Sequence, residues 1–128
     1  MIDPKDPGEA VLQFLADRHL ATLTTLRADG SPHVVAVGFS YSPGERIARV
    51  ITFAPSVKAR NAARGGRAAL SQIDGGRWLT LEGVVRLVTD PAGVATAVEG
   101  YAARYSQPKE RDDRVAIEID VDRIMGRA

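Results

Sequence analysis

The feature that most constrains the fold is a succession of strand-like segments. Most of the connections between these segments are too short to hold a crossover helix. Asp-Gly within Ala28–Ser31 and Pro-Gly within Ser42–Glu45 are typical of β-hairpins. The segments are rich in β-branched and aliphatic residues and span Leu20–Leu26, His33–Tyr41, Ile47–Phe53, Arg67–Ile73, Trp78–Val88 and Val115–Val121. Because strands and helices do not alternate regularly, we predict a mainly β (α+β) fold, an antiparallel sheet closed into a small barrel with flanking helices.

Three helices complete the predicted architecture. The first spans Gly8–Asp17, where apolar residues recur at helical spacing. A short second helix runs from Ser56, in the N-cap position, to about Arg64, where a Gly-Gly pair ends it. The third covers Pro91–Tyr105, with an aspartate N-cap before its proline. The 128 residues are expected to form one domain, with residues 1–7 as a loose arm.

The predicted strand at His33–Tyr41 has two faces of very different size. The bulky face comprises Val35, Val37, Phe39 and Tyr41, and the small face comprises Ala36, Gly38 and Ser40. A strand face without bulk either packs closely against a neighbour or leaves room for a flat ligand. The sequence leaves both interpretations open, with close packing favoured for any single residue.

Composition excludes several classes of function. The chain has no cysteine and only two histidines, without metal-ligand spacing, so disulfides, thiolate chemistry and a metal site are not expected. It has no apolar run long enough to span a bilayer, and its start, MIDPKDPGEAV, does not resemble a signal peptide; we expect a cytoplasmic protein. The Gly-rich phosphate loops of the two commonest nucleotide-binding folds are also missing.

One stretch, Arg46–Arg67, concentrates positive charge. It contains six of the seventeen basic residues and no acidic residue, whereas the net charge of the whole chain is only +1. This asymmetry predicts a basic surface for an anionic partner. A nucleic acid is not expected, because the overall charge is nearly neutral and aromatic residues are few.

Within this stretch, the end of a strand and the start of a helix form a candidate phosphate site. Thr52 and Ser56 would offer hydroxyl donors and Lys58 a charge, beside the free N–H groups of a helix start. The alternative is a solvated helix with incidental bases. Binding is favoured over it, because unrelieved like charges cost stability without a ligand. Arg60, Asn61 and Arg64 extend the same helix, and for each of them the two interpretations are even.

Other candidate residues have weaker signals. Trp78, the only tryptophan, either is partly buried for structural reasons or stacks on a flat ligand. His33 is a possible general acid, although a lone histidine is more often structural. Neither a catalytic triad nor another set of reactive side chains stands out. Such a protein either only binds its ligand or takes the reactive atom from a cofactor.

The pattern Thr52-x-x-x-Ser56-x-Lys58 resembles the phosphate-binding signature of the flavin split-barrel family related to pyridoxamine 5′-phosphate oxidase. Longer stretches, HLATLTTLRADGSPHVVAVGFSY, IARVIT, KARNAARGGRA and DGGRWLTLEG, resemble the actinobacterial deazaflavin branch of that family. The similarity spans roughly Phe14–Gly126. It implies a split antiparallel β-barrel that acts as a homodimer, with coenzyme F420 in a groove at the dimer interface.

The resemblance also implies roles for individual residues. Phosphate would be held by the candidate site above, backbone groups of Val50 and Ile51 would meet the ring, and Trp78 would come from the other subunit. Asn61 and nearby arginines would meet the polyglutamate tail. The full implied set of cofactor-binding residues is His33, Val50, Ile51, Thr52, Ser56, Val57, Lys58, Arg60, Asn61 and Trp78. Val57 stands where FMN-binding members often have arginine, which weakens the FMN interpretation.

The activity implied is hydride transfer from C5 of reduced F420 to a conjugated acceptor, with biliverdin as the favoured substrate and its central methine carbon as the site of attack. The substrate carboxylates would need cations, for which the candidates are Arg27, Arg46, Arg49 and Arg77. Two alternatives remain: an FMN-dependent oxidoreductase of the same fold, and a non-catalytic protein that binds F420, haem or a bilin.

Overall fold

The computed structural model describes all 128 residues, in three helices and seven strands. The helices are α1 (Glu9–Ala16), α2 (Val57–Ala63) and α3 (Pro91–Arg104). The strands are β1 (Ala21–Leu26), β2 (Pro32–Val37), β3 (Ser40–Ser42), β4 (Ile47–Phe53), β5 (Arg67–Asp74), β6 (Arg77–Val88) and β7 (Arg114–Arg127). None of the helices has the length and apolar character needed to cross a membrane.

All seven strands form one antiparallel sheet in the order β2-β1-β5-β6-β7-β4-β3. Its two edge strands, β2 and β3, are consecutive in the chain and are linked by only Gly38 and Phe39. The sheet therefore curls until these two edges lie close together, although no hydrogen bonds pair them. This is a split barrel. The predicted mainly β fold with flanking helices is confirmed, whereas the predicted closure of the sheet is wrong, because β2 and β3 do not pair.

The predicted single strand at His33–Tyr41 is wrong, because the chain leaves one sheet edge at Gly38 and Phe39 and joins the other. The end of α3 holds this crossing: Arg104 Nη1 donates to the Phe39 carbonyl at 2.8 Å, and the Phe39 amide donates to Tyr105 Oη at 3.1 Å. A Cβ at Gly38 would lie 3.0 Å from ring atoms of Tyr101 and Tyr105. The small face at this position therefore serves helix packing.

The last strand is longer than its predicted range of Val115–Val121. β7 continues to Arg127 and pairs with β6 over nearly its whole length, with a register irregularity at Glu82 and Gly83. At that point the backbones approach so closely that a Cβ on Gly83 would lie 1.7 Å from the Asp120 carbonyl oxygen. Glycine permits this approach, which bends the two strands around the core.

The barrel interior is filled by alternate residues of the strands and by the apolar side of α1. The largest fully buried apolar side chains are Phe14, Phe39, Leu23, Leu70, Leu79, Leu81, Ile117, Ile119 and Ile124. The predicted loose arm is tied down at one point: the Ile2 amide donates to the Ile124 carbonyl at 3.0 Å, and the Ile2 side chain packs against the core.

Candidate functional site

Thr52 and Ser56 bring two buried hydroxyl groups together where β4 turns into α2. Their oxygens lie 3.0 Å apart, and Ser56 Oγ also accepts a hydrogen bond from the Ala59 amide at 3.2 Å, as an N-cap. The two hydroxyls carry two protons, of which the bond between them uses one. One hydroxyl proton is therefore left to donate to a ligand with free lone pairs.

Lys58, two residues after Ser56 in the first turn of α2, supplies a positive charge. The side chain is half-buried, and its Nζ lies 6.0 Å from the centroid of the Phe53 ring. No carboxylate lies within 4.0 Å of it. Burial lowers the pKa of Lys58 because it disfavours the charged ammonium. We call Thr52, Ser56 and Lys58 the phosphate seat, since their hydroxyl donor and unpaired cation suit a phosphate group.

Asn61 has both ends of its side-chain amide engaged within the protein. Its Nδ2 donates to Thr25 Oγ1 at 3.0 Å, and its Oδ1 accepts from Arg64. Arg64 Nη2 also donates to the Leu26 carbonyl at 2.9 Å. Asn61 thus fastens α2 to β1, and its contact with the cofactor tail stays a prediction. Arg60 and Arg64 are exposed and have no carboxylate partner.

His33 lies next to this fastening. It pairs across the strands with Thr25, so the two side chains are on the same side of the sheet. His33 Nδ1 is buried and has no hydrogen-bond partner. A buried ring nitrogen without a hydrogen-bond partner is costly. His33, which lies beside the Thr25–Asn61 contact, and Lys58 of α2 are thus two polar side chains that lack a partner within the protein.

The backbone of Ile51 is open to a ligand, whereas that of Val50 is not. The Ala54 amide and the Arg46 carbonyl both bond to the β7 side, so even-numbered residues of β4 face β7 and odd-numbered ones face away. Val50 is therefore in the ladder with β7. β3 pairs only with Ile47–Arg49, which leaves the N–H and C=O groups of Ile51 at an uncovered edge.

Trp78 is remote from the phosphate seat of its own chain. Thr52 pairs with Val115 at the start of β7, and Trp78 pairs with Arg127 at its end. The strand between them is about 40 Å long at about 3.3 Å per residue. Trp78 is 37% exposed and lies at the far end of β7 from the seat of its own chain.

The four arginines predicted to bind substrate carboxylates are not brought together. Arg27 donates to the Pro32 carbonyl at 2.6 Å in the β1–β2 turn. Arg77 pairs with Asp74 and lies over the Phe14 ring, whose centroid is 4.4 Å away. Arg46 is exposed in the β3–β4 turn with a φ of 57°.

Arg49, the fourth, belongs to what we call the central ion network, which comprises Arg49, Arg86, Glu118 and Asp120. Neighbouring β4, β7 and β6 place Arg49, Glu118 and Arg86 side by side. Arg49 Nε lies 3.0 Å from Glu118, and Arg86 lies 2.6 Å from both Glu118 and Asp120. Arg67 is likewise paired, with Asp122 at 2.6 Å. Of the six basic residues predicted to form one surface, Arg49 and Arg67 are therefore paired with carboxylates. The unpaired ones are Lys58, Arg60 and Arg64 on or next to α2, and the exposed Arg46.

Phe53 is a neighbour of the phosphate seat that the sequence did not single out. Besides Lys58, the Arg111 guanidinium lies over its ring, 4.5 Å from the centroid. The sequence could have indicated Phe53 only through its position directly after Thr52. Nothing local could have indicated Arg111, which reaches the ring from the loop before β7 and is held there by Asp113 at 2.9 Å.

Comparison with known proteins agrees with this architecture. Residues 7–127 match the pyridoxamine 5′-phosphate oxidase family. An F420H(2)-dependent biliverdin reductase of Mycobacterium tuberculosis (strain CDC 1551 / Oshkosh) is 55% identical over 121 residues, which cover 94% of this chain and 88% of that protein.

Solved structures give the same result. A conserved hypothetical protein of Mycobacterium tuberculosis superposes with a TM-score of 0.78 and 26% identity, over 93% of this chain and 83% of that one. An F420 reductase superposes with a TM-score of 0.72 and 26% identity, over 92% of this chain and 98% of that one. The fold, the strand–turn–helix of the phosphate seat and these matches lead to one conclusion: the chain belongs to the pyridoxamine 5′-phosphate oxidase family.

Proposed function

We propose that this protein is an F420-dependent oxidoreductase that reduces biliverdin to bilirubin. The observation that carries the proposal is the phosphate seat, in which an unpaired, half-buried Lys58 follows the Ser56 N-cap by two residues, and the Thr52–Ser56 pair has a free hydroxyl proton. The 55% identity to an F420H(2)-dependent biliverdin reductase supports F420 as the cofactor and a tetrapyrrole as the substrate. The exposed Arg60 and Arg64 suit the additional carboxylates of F420, which FMN lacks.

In this proposal, the protein binds and orients the reactants, and reduced F420 supplies the hydride when bound. Lys58, Thr52 and Ser56 hold the phosphate by charge-assisted hydrogen bonds. The free N–H and C=O groups of Ile51 are available to polar atoms at the edge of the ring. His33 Nδ1 is unpartnered but buried, so a hydrogen bond from His33 to the cofactor would require its ring to rotate.

The test is turnover with purified protein. Reduced F420 is mixed with enzyme and biliverdin, and both F420 oxidation and bilirubin formation are followed spectroscopically. We expect the two to appear in equal amounts, and we expect Lys58→Met to slow the reaction at subsaturating F420. Binding of F420 without turnover would support a carrier, and binding of FMN alone would contradict the proposal.

We also propose that the working form is a homodimer in which Trp78 completes the partner's site. Trp78 lies at the opposite end of β7 from the seat, so within one chain it has no access to the cofactor. A set of apolar side chains is exposed on the same outer face of β1, β2, β5 and β6: Leu26, Val34, Ile73, Trp78 and Val84. An apolar face of this kind suits burial against a second copy.

Subunit complementation tests the shared site. Lys58→Ala and Trp78→Ala each damage a different wall, so each homodimer is expected to bind F420 weakly. After unfolding and refolding together in equal amounts, random pairing restores about a quarter of the sites. No recovery on mixing, with both variants dimeric by light scattering, would contradict a site built from two subunits.

A further inference from the structure

The helix α2 carries two members of the phosphate seat, yet its own packing against the barrel is weak. Ser56 is its N-cap, and Lys58 lies in its first turn. With seven residues, α2 is too short to be stable by itself. Its buried apolar side chains are only Ala59 and Ala62, which bury little apolar area because they are small. The position of the seat therefore depends on other contacts of α2.

The side-chain contacts that attach α2 to the barrel come from Thr25, Asn61 and Arg64, which we call the α2 anchor. Asn61 Nδ2 donates to Thr25 Oγ1 at 3.0 Å, and Asn61 Oδ1 accepts from Arg64 Nη2. Arg64 Nη2 also donates to the Leu26 carbonyl at 2.9 Å. Thr25 and Asn61 are only 1% and 4% exposed. The anchor thus connects the last turn of α2 to the end of β1.

Asn61 is better placed to act through the helix than to touch a ligand. Both ends of its side-chain amide are bonded within the protein, and turning the amide toward a ligand would leave the buried Thr25 hydroxyl without its donor. Along α2, Asn61 follows Lys58 by three positions and Ser56 by five. These separations correspond to a rise of about 4.5 Å and about 7.5 Å, so a shift of Asn61 would be passed directly to the seat.

We propose that the α2 anchor positions the phosphate seat, so that Thr25 and Asn61 set the affinity for the cofactor phosphate without touching the cofactor. A seat that is already in place loses less conformational freedom when its ligand binds. Thr25 and Asn61 are positioning residues in this sense, and Asn61 has a role different from the tail contact that the resemblance implies. The identity of the ligand rests on the proposed function, whereas the anchoring of α2 does not require F420.

The first test is a fluorescence titration of Thr25→Val and Thr25→Ser with F420. Thr25→Val keeps the volume but removes the acceptor of Asn61, so we expect the Kd to rise by about five- to tenfold. Thr25→Ser keeps the hydroxyl and should bind within about twofold of the wild type. The kcat at saturating F420 should be unchanged in both variants, because the anchor does not touch the reacting groups. An unchanged Kd in Thr25→Val would overturn the proposal.

The control for general loss of stability is Gln72→Met, at the other end of β1. Gln72 is fully buried and pairs with Ala21. Its Nε2 donates to the Phe14 carbonyl at 3.0 Å, and its Oε1 accepts from Arg104 at 2.8 Å. Gln72→Met therefore loses buried hydrogen bonds far from α2. It should lower the melting temperature and leave the Kd for F420 unchanged.

The glutamate tail separates a positioning role of Asn61 from a direct contact. Thr25→Val and Asn61→Leu should weaken the binding of F420 and of the same deazaflavin phosphate without glutamates by the same factor. The double variant should bind about as weakly as the weaker single variant, because both changes break one network. A loss that appears only with the glutamate tail would make Asn61 a ligand and would overturn its positioning role.

Hydrogen exchange of the cofactor-free protein tests the anchor without F420. We expect the hydrogen-bonded amides of residues 60–65 to exchange faster in Thr25→Val than in the wild type, and to be unaffected in Thr25→Ser and Gln72→Met. Equal exchange of these amides in the wild type and Thr25→Val would overturn the anchor. A wild type that does not bind F420 would contradict the proposed function alone, so the two failures are distinguishable.

Discussion

The central ion network and α2 are both rich in cations, yet they differ in what surrounds the charges. Arg49 and Arg86 face Glu118 and Asp120 across neighbouring strands at 2.6–3.0 Å. Lys58, Arg60 and Arg64 have no carboxylate within 4.0 Å. In the central ion network, the strand register places carboxylates next to the arginines, so their charges are neutralised within the protein. The cations of α2 and its C-terminal end have no such partners and are free to bind an anionic ligand. Local charge in the sequence indicates a binding surface only where the fold brings no acid opposite.

The largest expected effect is on stability, from removing the shared acid of the network. Glu118→Ala leaves Arg49 buried with its main counter-ion lost, so we expect the free energy of unfolding to fall by about 3 kcal/mol. Urea unfolding followed by circular dichroism measures this. The control is Glu82→Ala, which breaks the more exposed pair with Arg123 at 3.5 Å and should cost less than about 1 kcal/mol. Equal losses would contradict a special role for the network.

A smaller effect is expected from Thr52→Val, which removes one hydroxyl of the phosphate seat and keeps the volume. Loss of the 3.0 Å bond to Ser56 should lower stability by about 1 kcal/mol and weaken F420 binding by a similar amount. Thr96→Val removes a hydroxyl that bonds the Ala92 carbonyl at 3.1 Å and serves as the control. If both variants bind F420 alike, Thr52 has no part in the seat.

The smallest effect is the pH dependence of stability without a ligand. Burial lowers the pKa of Lys58 below its ordinary 10.5, so between the lowered value and 10.5 the unfolded chain binds more protons than the folded one. Stability of the wild type should therefore rise relative to Lys58→Met as the pH increases through this window. Chemical unfolding at a series of alkaline pH values measures the difference, and the opposite slope would mean that Lys58 has a counter-ion in solution.

Most of the fold could be predicted because strand alternation, hairpin turns and helix caps are local signals. The break at Gly38 and Phe39 could not, because Phe39 continues the alternation and the crossing is held by Arg104 and Tyr105, far away in the chain. The end of β7 was missed for a similar reason. Its extension depends on pairing with β6, and its own last residues have little strand character.

The candidate site divides in the same way. Thr52, Ser56 and Lys58 lie close together in the sequence, at the end of a strand and the start of a helix, so their spacing alone indicated a phosphate site. By contrast, Asn61 bonds to Thr25 and Arg49 bonds to Glu118, which are 36 and 69 positions away in the chain. No local sequence pattern could have predicted these contacts. The roles of Asn61 and Trp78 in cofactor binding stay predictions.

The most direct test of the division between the two regions is a fluorescence titration with F420 of the wild type, Lys58→Met and Lys5→Met. Lys5 is an exposed lysine of the N-terminal arm and serves as the matched control. We predict that Lys58→Met raises the Kd by about ten- to a hundredfold, because a charged hydrogen bond to phosphate is lost, and that Lys5→Met leaves it unchanged. Equal F420 affinity for the wild type and Lys58→Met would contradict the account.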